Sequence, residues 1–167
     1  MQPRSTRRSF LRQTGLVAAS AFAAPMILPS RVFGANERIT IGAIGVRNQG
    51  TGNLGRFLDA KTDIVAICDV DTQVAAAAVK KVTGAMAPEP AVYGDYRELL
   101  DQKGIDAVVI TVPDHWHALM TIHACQAGKD VYCEKPLSLS IAEGRRMVNA
   151  ARENKRIVQT GSQQRSS

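Results

Sequence analysis

At 167 residues the chain has the size of one ordinary domain, and 45% hydrophobic with 22% charged residues is the composition of a soluble globular protein able to bury a core. Of the formal charge of +6, five units reside in the first 35 residues, where Arg4, Arg7, Arg8, Arg12 and Arg31 meet no acid; the remainder carries 16 basic against 15 acidic side chains, which removes any electrostatic case for nucleic acid. Cys68, Cys125 and Cys133 have neither a paired framework nor metal-ligand spacing and read as small buried hydrophobes.

The N-terminus carries Ser5-Thr6-Arg7-Arg8-Ser9-Phe10-Leu11-Arg12, an adjacent arginine pair followed by Phe-Leu, and then an alanine-rich apolar stretch over residues 15–28. That stretch is short for a bilayer core of roughly 30 Å and is interrupted at Pro25 and Pro29, which argues for a removable signal over a membrane helix. The pattern resembles a twin-arginine export signal; the bland alternative is a basic amphipathic arm. Ala21-Phe22-Ala23 has the small-x-small form of a cleavage site, while Phe33-Gly34-Ala35 lies nearer the folded part but sets a bulky residue where a small one is preferred. Residues 1–35 are therefore assigned to the signal and 36–167 to one folded domain.

From Ile39 onward, short β-rich runs alternate with longer helical stretches, the pattern of βαβ units. Strands are expected over 38–44, 63–68, 91–93, 107–111, 130–133 and 156–159, the third being the weakest. Most are continuous apolar runs, as strands covered on both faces require. Helices are expected over 50–60, 72–84, 96–102, 115–127 and 141–154. Asp95 with Glu98, and Ser140 with Glu143, have capping-box spacing, and Gly84 and Gly128 stand as C-terminal stops. Right-handed crossovers then give an α/β fold with a doubly wound parallel sheet (Rossmann), strand order 3-2-1-4-5-6, and any ligand over the carboxyl ends of the strands.

Four carboxyl ends carry residues with chemistry. The first strand runs into Gly45-Val46-Arg47-Asn48-Gln49-Gly50 before a helix, the place of a dinucleotide-binding turn. There Gly45 permits the sharp turn, Gly50 permits close packing, and the helix N-terminus offers donors to a pyrophosphate. Arg47 replaces the middle glycine of the usual GxGxxG; it either pairs with a phosphate oxygen or points to solvent. Asp69, 24 residues beyond Gly45, has the spacing of a carboxylate that accepts the adenosine ribose hydroxyls and opposes a 2′-phosphate, which favours NAD over NADP. The alternative for either aspartate is a cap of the next helix, a reading that suits Asp71 better than Asp69.

The fourth strand ends in Thr111-Val112-Pro113-Asp114-His115-Trp116-His117, where the nicotinamide end would lie, with Asp114 as the expected cap. Trp116 reads as core or as ligand contact. His115, His117 and His123 diverge on a helix, so no metal site is expected. The fifth strand ends in Glu134-Lys135-Pro136. A lysine beside the nicotinamide ring suits proton exchange with a substrate hydroxyl, with Glu134 holding the ammonium and Pro136 fixing the turn, in one version through a cis peptide. The alternative is a solvated charge pair.

Taken together, the Gly45 turn, the Asp69 strand end, Asp95-Tyr96-Arg97-Glu98-Leu99-Leu100, Thr111-Val112-Pro113 with His117, Glu134-Lys135-Pro136 and Gly161-Ser162-Gln163-Gln164-Arg165 resemble the N-terminal domain of the glucose-fructose oxidoreductase and inositol dehydrogenase family, Gfo/Idh/MocA. The resemblance covers residues 39–165. It implies that Lys135 transfers the proton, that Thr111, Pro113, His117 and Glu134 line the cofactor, and that Gln163 lies near its nicotinamide end. The expected cofactor is NAD, with NADP the alternative, and the expected substrate a small sugar, cyclitol or related polyol. Members of the family continue into a C-terminal α/β substrate domain and assemble as homo-oligomers. The chain is therefore expected to be the nucleotide-binding part of such an oxidoreductase, cut short and inactive alone.

Twin-arginine export moves folded proteins, so the translocase is an expected partner, the location periplasmic or otherwise extracytoplasmic, the mature form free of a membrane anchor, and the cofactor tightly bound. Two other readings stay open: an NAD-dependent glycoside hydrolase acting by transient oxidation and elimination, and a non-catalytic nucleotide-binding fragment.

Overall fold

The structure, a computed structural model, describes residues 38–85 and 87–163; the proposed signal, residues 1–35, and Gln164-Arg165 of the last motif lie outside the described residues. The apolar runs form six strands, β1 (Thr40–Ile44), β2 (Asp63–Cys68), β3 (Ala91–Tyr93), β4 (Ala107–Ile110), β5 (Asp130–Glu134) and β6 (Val158–Gly161). They make one sheet, parallel at every pairing, in the order β3-β2-β1-β4-β5-β6. Between them run the helices α1 (Gln49–Asp59), α2 (Thr72–Gly84), α3 (Tyr96–Leu100), α4 (Asp114–Gln126) and α5 (Ile141–Glu153).

Alternation along the central strands divides the core in two. Ile41, Ala43 and Val109 pack with Leu54 of α1 and Ala78 and Val82 of α2, whereas Ile44, Val108 and Ile110 pack with Leu99, Ala124, Cys125 and Ala150 on the opposite face. Each fully buried Ile or Val contributes about 1.5–3 kcal/mol of apolar transfer, so covering both faces of β1 and β4 is what makes these strands the centre of the sheet. Between β1 and β2 the register slips at Ile41/Gly42, and Val65 and Ala66 consequently serve the same cluster. β3 is short and at the edge, with Val92 53% exposed.

Element ends depart from expectation where long-range bonds decide them. β6 begins at Val158 instead of Arg156, because the Arg156 N–H still bonds the Ala151 carbonyl behind α5 and its guanidinium donates to Asn154 O and Gly128 O. β4 stops one residue early and β5 runs one residue longer. Asp114 does not cap α4: Pro113 holds the cap position and Asp114 lies within the first turn, where its charge suits the helix dipole. Asp95 accepts from Arg97 N as the cap and from Arg97 Nη1 on its other oxygen, and no reciprocal box forms with Glu98, while Ser140 and Glu143 do form one. Gly84 is the last helical residue of α2, followed by Ala85 as cap, whereas Gly128 takes φ 75° just past α4 as a stop should.

At the amino ends of the strands, Thr40 donates from both N (2.8 Å) and Oγ1 (2.7 Å) to one oxygen of Asp106, tying the start of β1 to the approach to β4. Those two bonds hold the Asp106 carboxyl below its ordinary 3.8. A carboxyl lowered by folding contributes stability that is present above 3.8 and lost as pH falls through its folded value. Urea unfolding between about pH 2 and 5 should therefore show wild type losing stability more steeply with acid than Asp106→Asn. Parallel acid limbs for the two proteins would show that the bonds do not form.

Candidate active site

The turn after β1 folds as it does because two of its residues lack a Cβ. Gly45 has φ 77° and donates to Cys68 O at 2.8 Å; a Cβ there would lie 2.2 Å from the Thr111 carbonyl oxygen. At Gly50 a Cβ would lie 2.2 Å from the carbonyl oxygen of Gly45 itself. Only glycine permits so close a meeting of β1, β4 and α1. Val46 is buried in the core, and its N–H donates to Asp69 Oδ2 at 3.0 Å. Asn48 stands at the N-cap of α1 with φ 45° and makes no side-chain cap bond; Gly50 N and Gly52 N are bonded to Arg47 O and Asn48 O, which leaves the N–H groups of Gln49 and Thr51 for an anion brought from outside.

Beside this turn a groove of about 500 Å3 crosses the tips of β2, β1 and β4, walled by Gly45, Asp69, Tyr96, Thr111, Pro113 and Trp116 among others. Asp69 and Asp71, both of which have cap chemistry, divide into two roles. Asp71 caps α2, its Oδ1 accepting from Gln73 N (3.0 Å) and Val74 N (3.3 Å). Asp69 is not a cap: its oxygens accept from Val46 N and Asp71 N, fastening two turns together at the groove. The Arg47 guanidinium pairs with Asp71, and its side chain is otherwise largely exposed to solvent. Trp116 belongs to the groove wall, edge-on to Tyr96.

The second cluster forms where β4, β5 and β6 end. Glu134 is only 3% exposed, and its carboxylate accepts from Asn53 Nδ2 (2.9 Å), Gln49 Nε2 (3.4 Å) and the backbone N of Lys135 (3.2 Å). It therefore does not hold the Lys135 ammonium as expected. A buried carboxylate needs donors, and α1 supplies two amides directly above it. The Asn53 amide also reaches Thr111 Oγ1 at 3.3 Å, linking the ends of β4 and β5 through α1. Lys135 is exposed, and its ammonium has no partner among the described residues. The Lys135–Pro136 bond is cis.

His117, on α4, is 1% exposed, and its Nδ1 lies 2.6 Å from Pro136 O. A carbonyl only accepts, so Nδ1 carries the proton of this bond. Nε2 is buried without a partner, an orphaned polar atom of the kind functional sites retain. Gln163 follows β6 with φ 46°.

His115 is exposed while His117 is buried, and among the described residues no three potential ligands gather to hold a metal. The cysteines are free and buried. Burial above all, then the charges of Asp69, Asp95 and Glu98, pushes Cys68 up to about 12; burial pushes Cys133 up to about 11. Neither is a thiolate at neutral pH.

Tyr96 and Asn53 were not legible as site residues. Tyr96 follows the Asp95 cap and reads as the first residue of a helix, yet it is a groove wall fixed by a bond between its hydroxyl and His123 Nδ1 (2.9 Å). Asn53 stands four residues after Gln49, on one face of α1, and that pair of amides was the available signal.

Strand order places the Asp69 and Lys135 tips at one edge of the sheet, three strand spacings or roughly 14 Å apart, with the Gly45 turn and Thr111 between them. A groove with a carboxylate at one end and a compressed glycine turn under an uncapped helix beside it, with the Lys135 loop following in the same row of strand ends, fits an extended adenine dinucleotide.

Comparison with known proteins agrees with that fit. A model of the Gfo/Idh/MocA group, described as an oxidoreductase family with an NAD-binding Rossmann fold, matches residues 39–162. An inositol 2-dehydrogenase of Salmonella typhimurium is 35% identical over 123 residues, covering 72% of this chain and 35% of that protein. A glycosyl hydrolase family 109 protein of Shewanella pealeana is 34% identical, covering 87% of this chain and 36% of its own length. The chain thus spans about a third of the length of these curated relatives. Among solved structures, the myo-inositol dehydrogenase of Lactobacillus casei, in complex with NAD(H) and myo-inositol, has a TM-score of 0.67 at 26% identity, over 74% of this chain and 36% of that one.

Proposed function

The chain belongs to the Gfo/Idh/MocA oxidoreductase family, and on that footing we propose that it holds NAD for a protein that oxidises a ring hydroxyl of a sugar, cyclitol or related polyol. The observation that carries the reading is the groove running from Asp69 past the Gly45 turn to Pro113, with β5 and Lys135 next in the same row. First-turn donors of α1 would take the pyrophosphate, and the lone pairs of Asp69 left free by Val46 and Asp71 would accept the ribose hydroxyls. Thr111, Pro113, the open Nε2 of His117 and Gln163 would line the nicotinamide end. When bound, the nicotinamide supplies a hydride acceptor. Lys135 Nζ would take the proton from the substrate hydroxyl oxygen, so that a carbinol loses a proton and a hydride and becomes a ketone. Glu134, committed to Asn53 and Gln49, sets the position of the Lys135 backbone instead of sharing the proton.

The Asp69 carboxylate repels a 2′-phosphate, which supports NAD over NADP, and a cofactor recycled in place suits a protein exported already folded. Heat-denaturing the purified native protein should release dinucleotide in near-stoichiometric amount. A protein that is pure, active and free of nucleotide would reject the tight-binding part of the reading.

A second reading has its own support: the glycosyl hydrolase relative matches a larger share of the chain than the inositol dehydrogenase does. There the same oxidation would be transient and would promote loss of a glycosidic group by elimination. Cleavage of an aryl glycoside with no net NADH would select this second course, and stoichiometric NADH with a free polyol would select the first.

A further inference from the structure

Family membership does not explain why an arginine stands where a dinucleotide turn ordinarily has its middle glycine. Resting on the NAD reading above, we propose that Asp71 keeps this site selective for NAD by occupying the Arg47 guanidinium, the one group in the turn able to receive a ribose 2′-phosphate. The groove wall carries two cations, and both are paired with acids of that same wall: Arg47 with Asp71, and Arg97 with Asp95 at 2.9 Å. What remains unneutralised is Asp69, the carboxylate at the ribose position. A phosphate monoester, with a charge of about −1.5 to −2, meets repulsion there and no free fork of donors.

Asp71 is built to hold the arginine. Its Oδ1 is committed to Gln73 N and Val74 N as the cap of α2, and its own N–H is bonded to Asp69 Oδ1, so the carboxylate is fixed and its Oδ2 faces Arg47. Arg47 itself is loosely surrounded, its side chain 61% exposed, so it can swing if released. Selectivity is therefore set by the partner of the arginine, one turn away from the fingerprint, and not by Asp69 alone.

The test compares NAD and NADP binding by titration calorimetry on the purified chain after removal of bound nucleotide. Asp71→Asn keeps the cap oxygen that α2 needs but gives up the charge that holds Arg47. The ratio of NADP to NAD affinity should rise about tenfold, the scale of one charge-assisted phosphate contact at an exposed site. Asp71→Ser, also a capping residue, should do the same, and adding Arg47→Gln to Asp71→Asn should cancel the gain. An unchanged ratio in both capping variants overturns the proposal while leaving NAD binding intact. A gain that survives Arg47→Gln overturns the role given to the arginine. Binding of neither nucleotide by the wild-type chain overturns the NAD reading itself, and this proposal with it.

Discussion

Lys135→Ala should reduce turnover of the complete protein by about 10²–10⁴-fold, the range that a positioned acid–base group supplies, while nucleotide affinity changes by far less. Three features single out this side chain. It stands on the loop directly after β5, in the same row of strand ends as Asp69. Its neighbour Glu134, the other ionisable group at that strand end, is buried and saturated by Asn53, Gln49 and the Lys135 backbone, and is poorly placed to exchange protons with a substrate. The turn beneath it is fastened by the Pro136 carbonyl to His117, so the ammonium departs from a fixed point. Lys135→Arg is the sharper variant: it retains the positive charge but cannot give up a proton near neutral pH, so it should be nearly as impaired as alanine. Steady-state rates paired with calorimetry separate the two quantities. Turnover within tenfold of wild type in both variants would remove Lys135 from the chemistry, whatever its place in the row.

Much of this arrangement could be read in the chain before any coordinates, because it depends on local pattern. The apolar runs at β1, β2 and β4, the helical stretches between them, and the handedness of crossovers give the sheet order, and the order alone brings Asp69, Gly45, Thr111 and Lys135 to one edge. The portions that escaped depend on partners far apart in sequence. The Glu134 carboxylate is turned inward by Asn53, 81 residues earlier, and Arg47 is drawn sideways by Asp71, 24 residues later. Neither residue type announces its partner. The two aspartates after β2 show the same limit from the other side: both have cap chemistry, and only the fold decides that Asp71 is the cap while Asp69 fastens the preceding turn at Val46. The start of β6 was misplaced because Arg156 and Ile157 look like strand residues but are held by Ala151 O and Asp130 Oδ1, the hinge between α5 and the sheet.

The glycine turn offers the most severe test of the geometry, because Gly45 within it and Gly52 in the helix that follows should respond with opposite signs. Gly45→Ala would place a methyl 2.2 Å from Thr111 O and 2.8 Å from Thr111 C. That backbone cannot retreat cheaply, since Thr111 N is bonded to Ile44 O at 2.8 Å within the parallel ladder of β1 and β4. The positive φ adds about 1–2 kcal/mol for any residue with a Cβ, and overpacking against backbone adds typically 1–3 kcal/mol, so a loss of about 3 kcal/mol or more is expected. Against a total of about 5–15 kcal/mol that is a large fraction, and it should appear as a marked fall in the urea midpoint. Moving Gly45 also shifts Val46 away from Asp69, so nucleotide affinity should fall even where the variant remains folded. Gly52 is the opposite case: it lies inside α1, is exposed, and has nothing within 4 Å of where a Cβ would sit. Gly52→Ala should therefore stabilise the fold by up to about 1 kcal/mol through helix propensity. A Gly45→Ala protein that unfolds at the wild-type midpoint and binds NAD normally would mean that β1, α1 and the tip of β4 do not meet as described, and the dinucleotide cradle would have to be sought elsewhere.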